Sequence, residues 1–88
     1  MTYKQKNISE RVFIREFSET VETTELIWHR DRQDRTIKVL EGTGWKIQFD
    51  NSLPEELLKG TSINIPKMVF HRLWRGNNKL IIEITENA

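Results

Sequence analysis

The sequence predicts an all-β fold, a sandwich or barrel built from short strands. Short runs rich in β-branched and aromatic residues alternate with turn signals along the chain. No segment shows a long helical period, and there is no internal repeat or low-complexity tract. With 88 residues, the chain is expected to form one domain over residues 1–88, with a flexible or arm-like segment over 1–10.

Seven strands are predicted, near residues 11–17, 21–31, 35–41, 44–50, 61–65, 69–75 and 79–85. The turns Gly42-Thr43-Gly44 and Gly76-Asn77-Asn78 supply residues that tolerate positive φ in hairpins. Segment 51–60 has proline and acids near its start and glycine at its end, which predicts one short helical turn within a loop.

Alternation along a strand sends successive side chains to opposite faces. His29 and Asp31 therefore share one face of the second predicted strand, and His71 shares a face with the apolar Leu73 in the sixth. Both histidines can accordingly face the interior of a barrel. This pair of imidazoles is the feature from which a function is argued.

The composition limits which binding partners and which cellular compartment are expected for the chain. The chain has no cysteine, which excludes disulfides and thiolate metal sites and fits the cytoplasm. Its first residues are polar, unlike a signal peptide, and its longest apolar run, Leu80-Ile81-Ile82, is far too short to span a membrane. The net charge of +1 predicts neither nucleic acid nor membrane as a partner.

Two segments resemble the paired signatures of the cupin superfamily. In the second segment, Gly60 is followed after five residues by Pro66, and His71 lies five positions beyond the proline. This spacing follows the family pattern G-x5-P-x-G-x2-H. Met68 replaces the middle glycine of the pattern, and Arg75 stands where the family usually has asparagine.

The first family signature, G-x5-H-x-H-x3/4-E-x6-G, matches in part. His29 and Gly42 fit its first histidine and its closing glycine. Asp31 stands at the second histidine and Arg35 at the glutamate, while Thr23 occupies the place of the opening glycine.

The resemblance spans about residues 23–75 and implies a compact double-stranded β-helix, the cupin-type jelly roll, with a site in its mouth. Many family members bind a divalent metal there. The matching ligands in this chain are His29, Asp31 and His71. Two imidazoles and a carboxylate suit iron, manganese, nickel or zinc and leave coordination positions open for a ligand.

Arg35 supports a different interpretation of the same cluster. A guanidinium is always charged and cannot bind a metal, and an inward Arg35 would pair with Asp31 and disfavour a second cation. The cluster of His29, Asp31, Arg35 and His71 would then bind a small anion without metal, with Arg35 gripping a carboxylate or phosphate.

Other large side chains complete the prediction. Trp45 is expected in the wall of the pocket or in the core, and Arg75 at the rim of the site or in contact with a ligand. Trp28 and Trp74 fall on the strand faces opposite the histidines and therefore point outward. Exposed indoles need a cover, which predicts a homodimer.

Three functions remain open from the sequence. The chain can be a metal-dependent enzyme acting on a small oxygenated or anionic molecule, a metal-free binding module for a sugar or carboxylate, or a structural dimer with an internal salt-bridge network. No phosphate-binding glycine loop or nucleophile elbow is present, and no catalytic residue is assigned.

Overall fold

Two antiparallel sheets make up the computed structural model, which describes residues 3–20 and 24–87. Eight strands are present in the described residues. In chain order they are β1 (Lys4–Asn7), β2 (Val12–Phe17), β3 (Arg35–Glu41), β4 (Lys46–Phe49), β5 (Glu55–Glu56), β6 (Ser62–Ile65), β7 (His71–Trp74) and β8 (Leu80–Glu86). The described part contains no helix long and apolar enough to cross a membrane.

The larger sheet has the order β1-β2-β8-β3-β6 and the smaller sheet the order β5-β4-β7. Non-consecutive strands lie side by side in both sheets, so most of the pairing is long-range. β8 is the central strand of the larger sheet, and alternate residues of it are buried because they face the smaller sheet.

One hydrophobic cluster joins the two sheets. Val39 of β3, Ile47 of β4 and Leu80 of β8 are completely buried within it. Since β3 and β8 belong to the larger sheet and β4 to the smaller one, the core lies between the sheets. Burial of apolar side chains on these inner faces is the main stabilising contribution to the fold.

Six of the seven predicted strands are confirmed, and the predicted strand over 21–31 is wrong in its described part. Residues 21–23 lie outside the described residues. Thr24–Leu26 forms a single 3₁₀ turn, and His29 makes only an isolated bridge to His71. Because no ladder continues along this segment, strict alternation is lost, and Ile27, which alternation would place on the inner face with His29 and Asp31, is 65% exposed.

The predicted helical turn within 51–60 is also absent. Glu55 and Glu56 instead pair with Ile47 and Lys46 as β5, and the next residue, Leu57, donates its amide to the Trp45 carbonyl at 2.8 Å. Leu57 is thereby buried in the core, which outweighs the weak tendency of one or two helical turns to form alone.

The beginning of the chain differs from the predicted flexible arm over 1–10. Lys4–Asn7 pairs along its length with β2 and forms an edge strand of the larger sheet. Residues 1 and 2 lie outside the described residues. This edge strand brings Tyr3 against the core, where its ring lies 5.5 Å from that of Phe17.

The two predicted glycine turns have different physical reasons. Gly42 and Gly44 do adopt positive φ, at 142° and 80°. No residue in the turn 76–78 does so. Gly76 is required there for space, because a Cβ atom would lie 2.2 Å from Cδ1 of Trp45 and 2.5 Å from the Thr43 carbonyl oxygen.

Gly76→Ala is expected to lower the free energy of unfolding by about 1–3 kcal/mol, because the added methyl group overpacks a contact between backbone and a buried indole. Gly60→Ala is the matched control. Gly60 has a φ of 86° but no atom within 4 Å of a built Cβ, so this variant bears only the conformational cost of about 1 kcal/mol. Urea unfolding of both variants checks the difference, and a smaller loss for Gly76→Ala than for Gly60→Ala would contradict the packing argument.

Candidate metal centre

Two backbone hydrogen bonds bring the histidines together. The His29 amide donates to the His71 carbonyl at 3.0 Å, and the His71 amide donates to the His29 carbonyl at 2.8 Å. In such an antiparallel pair the two side chains leave on the same side. The ring centroids lie 4.3 Å apart in an edge-to-face arrangement, so imidazoles from distant parts of the chain meet in one place.

Each imidazole is held by a backbone carbonyl two residues earlier in the chain. Nδ1 of His29 lies 2.7 Å from the Ile27 carbonyl oxygen, and Nδ1 of His71 lies 2.9 Å from that of Val69. A carbonyl can only accept, so Nδ1 carries the proton in the neutral ring. The Nε2 lone pair is then left to bind a metal, and the carbonyl fixes the orientation of the ring.

Asp31 completes a group of three ligand atoms. One ligand atom each from His29, Asp31 and His71 lies within 4.8 Å of the other two. Oδ2 of Asp31 is 3.4 Å from Nε2 of His71. The position of Asp31 is set by its backbone, because its carbonyl accepts a 2.7 Å hydrogen bond from the Met68 amide.

Two of these ligand atoms are buried without a hydrogen bond. They are Nε2 of His29 and Oδ2 of Asp31. Each of the two has a titratable partner, Oδ2 of Asp31 with Nε2 of His71 and Nε2 of His29 with Oε1 of Glu25, and both contacts, at 3.4 Å, are longer than an ordinary hydrogen bond. A buried polar atom without a well-formed hydrogen bond is destabilising by up to about 1–3 kcal/mol, and a metal ion bound by both atoms would remove this cost. The residues present therefore fit a divalent metal.

Glu25 belongs to the site and was missed by the sequence analysis. Its Oε1 lies 3.4 Å from Nε2 of His29, and the 3₁₀ turn before the bridge carries it there. The sequence did contain a signal for it. Glu25 lies four residues before His29, so alternation along a strand would place it on the same face as His29 and Asp31. Its carboxylate is a possible fourth ligand.

Arg35 lies beside the site but is bound mainly by another acid. Its Nε and Nη2 donate to Oε2 of Glu86 at 3.0 and 2.7 Å, while its Nη1 is 3.7 Å from Oδ1 of Asp31. The expected pair with Asp31 is thus the weaker of two contacts, and the other Asp31 oxygen remains directed at His71. Three carboxylates, from Glu25, Asp31 and Glu86, lie near two guanidiniums, those of Arg35 and of Arg15 on β2, so these acids still outnumber the arginines, which favours a divalent cation.

The pKa values of the two histidines are shifted in opposite directions, that of His29 upward and that of His71 downward. The Glu25 carboxylate raises the pKa of His29 by stabilising its imidazolium, although burial acts the other way. Burial would raise the pKa of Glu25, but its contact with His29 outweighs this effect and the pKa is lowered. Burial lowers the pKa of His71, so this ring is held in the neutral form that a metal requires.

The other two predicted ligand-binding residues make contacts elsewhere. Trp45 is 1% exposed within the core, and its Nε1 donates to the Asn78 carbonyl at 2.6 Å. Arg75 is half-buried, and its Nη1 donates to the Glu19 carbonyl. The group of three possible metal ligands contains neither residue.

Trp28 and Trp74 lie on the outer surface, 39% and 42% exposed. The guanidinium of Arg72 lies between them, with its central carbon 4.8 Å from the centroid of Trp28 and 4.9 Å from that of Trp74. We call these three side chains the Trp–Arg–Trp face.

Comparison with known proteins finds similarity at the level of structure. No family model and no curated protein matches the sequence. A cupin domain from Bordetella pertussis Tohama I matches with a TM-score of 0.66 and 22% identity, over 98% of this chain and 92% of that chain. A structure of the DMSP lyases RdDddP and RnDddQII matches with a TM-score of 0.75 and 14% identity. That match covers 89% of this chain, which spans 38% of the lyase chain.

FeII HppE matches with a TM-score of 0.67 and 10% identity, over 86% of this chain and 41% of that chain. Further matching structures are described as cupin or cupin-like proteins. Similarity at these identities establishes the fold, and the pairing of strands described above agrees with it. The chain is a small all-β protein with the cupin fold.

Proposed function

We propose that the chain binds one divalent transition-metal ion through Nε2 of His29, Nε2 of His71 and a carboxylate oxygen of Asp31, with Glu25 as a fourth ligand. The observation that carries the proposal is the pair of buried, unbonded ligand atoms on His29 and Asp31, which lie in one group with the imidazole of His71. Both imidazoles are already fixed by carbonyls in the tautomer that a metal needs.

The donor atoms restrict the choice of metal. Imidazole nitrogen and carboxylate oxygen suit Fe(II), Mn(II), Ni(II) and Zn(II), and the set of two histidines and one acid is the composition of the non-haem iron facial triad. The structural similarity to FeII HppE supports iron as one of these candidates. The protein has no cysteine that would favour a softer metal.

We propose that this centre acts on a small oxygenated or anionic molecule. A metal bound by three or four protein ligands keeps open positions, where it supplies Lewis acidity or activates oxygen. The protein holds the ligands in place, since His71 is 2% exposed and the Asp31 side chain 15%. Glu86 neutralises most of the charge of Arg35, which leaves the carboxylate of Asp31 available.

A metal-free binding module is the second candidate. The observation that favours it is the guanidinium of Arg35, whose Nη1 lies 3.7 Å from Oδ1 of Asp31, because a fixed cation there disfavours a metal ion and attracts a carboxylate or another anion. In this form the cluster binds a small molecule without chemistry. Metal content distinguishes the two candidates.

Protein purified without chelator is expected to contain about one transition-metal ion per chain by elemental analysis. Asp31→Asn removes the charged ligand and should weaken Mn(II) binding at least about tenfold by calorimetry. Asp50→Asn is the matched control, since Asp50 is an exposed acid on the turn after β4. Absence of metal in the wild type, together with equal Mn(II) affinity in Asp31→Asn and Asp50→Asn, would favour the metal-free module.

Metal affinity is expected to fall as the pH is lowered through the raised pKa of His29. A proton on Nε2 removes the lone pair that binds the metal, so lower pH favours the proton over the metal. Because Glu25 raises this pKa, the loss should begin above the ordinary histidine pKa of about 6.5. In Glu25→Gln the midpoint should move to lower pH, as Mn(II) titrations from pH 5 to 8 would show. An unchanged midpoint would exclude this role of Glu25.

We further propose that the chain forms a homodimer through the Trp–Arg–Trp face. Tryptophan and arginine are the residue types most enriched among the residues that dominate interface energies, and both indoles are exposed in the single chain. Sedimentation equilibrium at micromolar concentration is expected to give twice the mass of one chain, and Trp74→Thr to shift the protein to monomer. A wild-type monomer at all concentrations would contradict this proposal.

A further inference from the structure

Arg15 is a charged side chain at an interior position. On β2, the alternation of side chains buries Phe13, Arg15 and Phe17, and Arg15 is only 7% exposed. Its two neighbours on this face are members of the hydrophobic core. An apolar residue would satisfy packing here, so a guanidinium at this position requires another explanation.

The partners of Arg15 are neutral. Its Nε and Nη2 donate to Oε1 of Gln5 at 3.1 and 2.9 Å. Its central carbon lies 4.1 Å from the ring centroid of Tyr3. Within residues 3–20 and 24–87, no carboxylate forms an ion pair with it. A buried cation of this kind is costly unless an anion approaches it.

Arg15 is linked by contact to the candidate metal centre. The ring of Phe13 is near two guanidiniums, with the central carbon of Arg15 5.2 Å and that of Arg35 5.8 Å from its centroid. Arg35 in turn approaches Asp31 at 3.7 Å. The two arginines are therefore neighbours around one ring, and within the described residues Arg35 pairs with an acid, Glu86, whereas Arg15 does not.

The charges that act on Arg15 also indicate that it lies near the candidate metal centre. Burial lowers the pKa of Arg15 and the charge of Arg35 lowers it further, while Tyr3, Glu25 and Asp31 act in the opposite direction. The carboxylates of the proposed metal site are thus close enough to act on Arg15 without pairing with it. A bound metal would engage these carboxylates and would leave the guanidinium for a group supplied by the ligand.

We infer that Arg15 binds a carboxylate group of the small molecule that occupies the metal centre. This inference rests on the proposed function and narrows its substrate class to small carboxylates. The planar guanidinium donates in a fork that matches two carboxylate oxygens, and the adjoining rings of Tyr3 and Phe13 favour a flat group over a tetrahedral one. Arg35 cannot take this role as readily, because its Nε and Nη2 are held by the charged carboxylate of Glu86, whereas the same two donors of Arg15 meet the neutral amide oxygen of Gln5, which a carboxylate would displace.

The test uses malonate as the probe, with the Mn(II)-loaded chain and with the chain in chelator. Calorimetry is expected to show that Arg15→Gln weakens malonate binding to the Mn(II)-loaded chain at least about tenfold. Affinity for Mn(II) itself should not fall in this variant, because a cation has been removed. Arg11→Gln, which alters an exposed arginine just before β2, is the matched control and should bind malonate like the wild type. Equal malonate affinity in Arg15→Gln and Arg11→Gln overturns the inference.

A measurement on the wild type covers the case in which Arg15→Gln fails to fold. Malonate is expected to shift the Arg15 Nε–H resonance in a nitrogen-15 spectrum with the same Kd as calorimetry gives. No shift at saturating malonate overturns the inference. If Mn(II) does not bind but malonate still shifts this resonance in chelator, the metal proposal fails and the role of Arg15 stands. Tighter binding of inorganic phosphate than of malonate would contradict the assignment to carboxylates.

Discussion

The reciprocal pair of backbone hydrogen bonds between His29 and His71 is the constraint on which the site depends. It attaches the irregular segment that contains His29 to the free edge of β7. The two bonded residues are themselves the histidines of the candidate metal centre. The backbone groups satisfy each other and each Nδ1 bonds a backbone carbonyl, so the Nε2 atoms of the two rings are left to contact carboxylates, those of Glu25 and Asp31, at 3.4 Å. This single bridged pair is sufficient without a longer strand ladder, because it already fixes the side of the sheet to which both imidazoles project.

Acids and arginines both lie close to this pair. Glu25 and Asp31 contact the imidazoles, and the guanidiniums of Arg15 and Arg35 lie near the ring of Phe13. If the site were only an internal salt-bridge network, each arginine would be expected to bind an acid. Arg35 does so with Glu86, whereas Arg15 binds a neutral amide. Stability alone does not explain this asymmetry, which is the reason for our proposal that Arg15 receives an anionic group of a ligand.

Much of the fold could be predicted from the sequence, because alternation is reliable where a strand has neighbours and one buried face. It identified β8 and the inward direction of His71, but failed over 24–31, where a 3₁₀ turn and a single bridge replace a ladder. The meeting of His29 and His71 came from motif spacing, since alternation carries no information about which strands are adjacent. Glu25 was missed because the motif has no ligand at that position, and Arg15 because it lies on β2, before both of the cupin-like segments.

Met68 helps to position the backbone of Asp31, and its own backbone conformation is strained. The cupin pattern has glycine at this position, and Met68 indeed has a φ of 64°, in the left-handed region that side chains with a Cβ disfavour by about 1–2 kcal/mol. The same residue donates its amide to the Asp31 carbonyl. The chain thus tolerates local strain at the point that anchors the backbone of Asp31, so some stability is lost where a residue of the candidate site is positioned. A Cβ at this position also narrows the backbone freedom of the loop, which restricts the backbone conformations open to its hydrogen-bonded partner, Asp31.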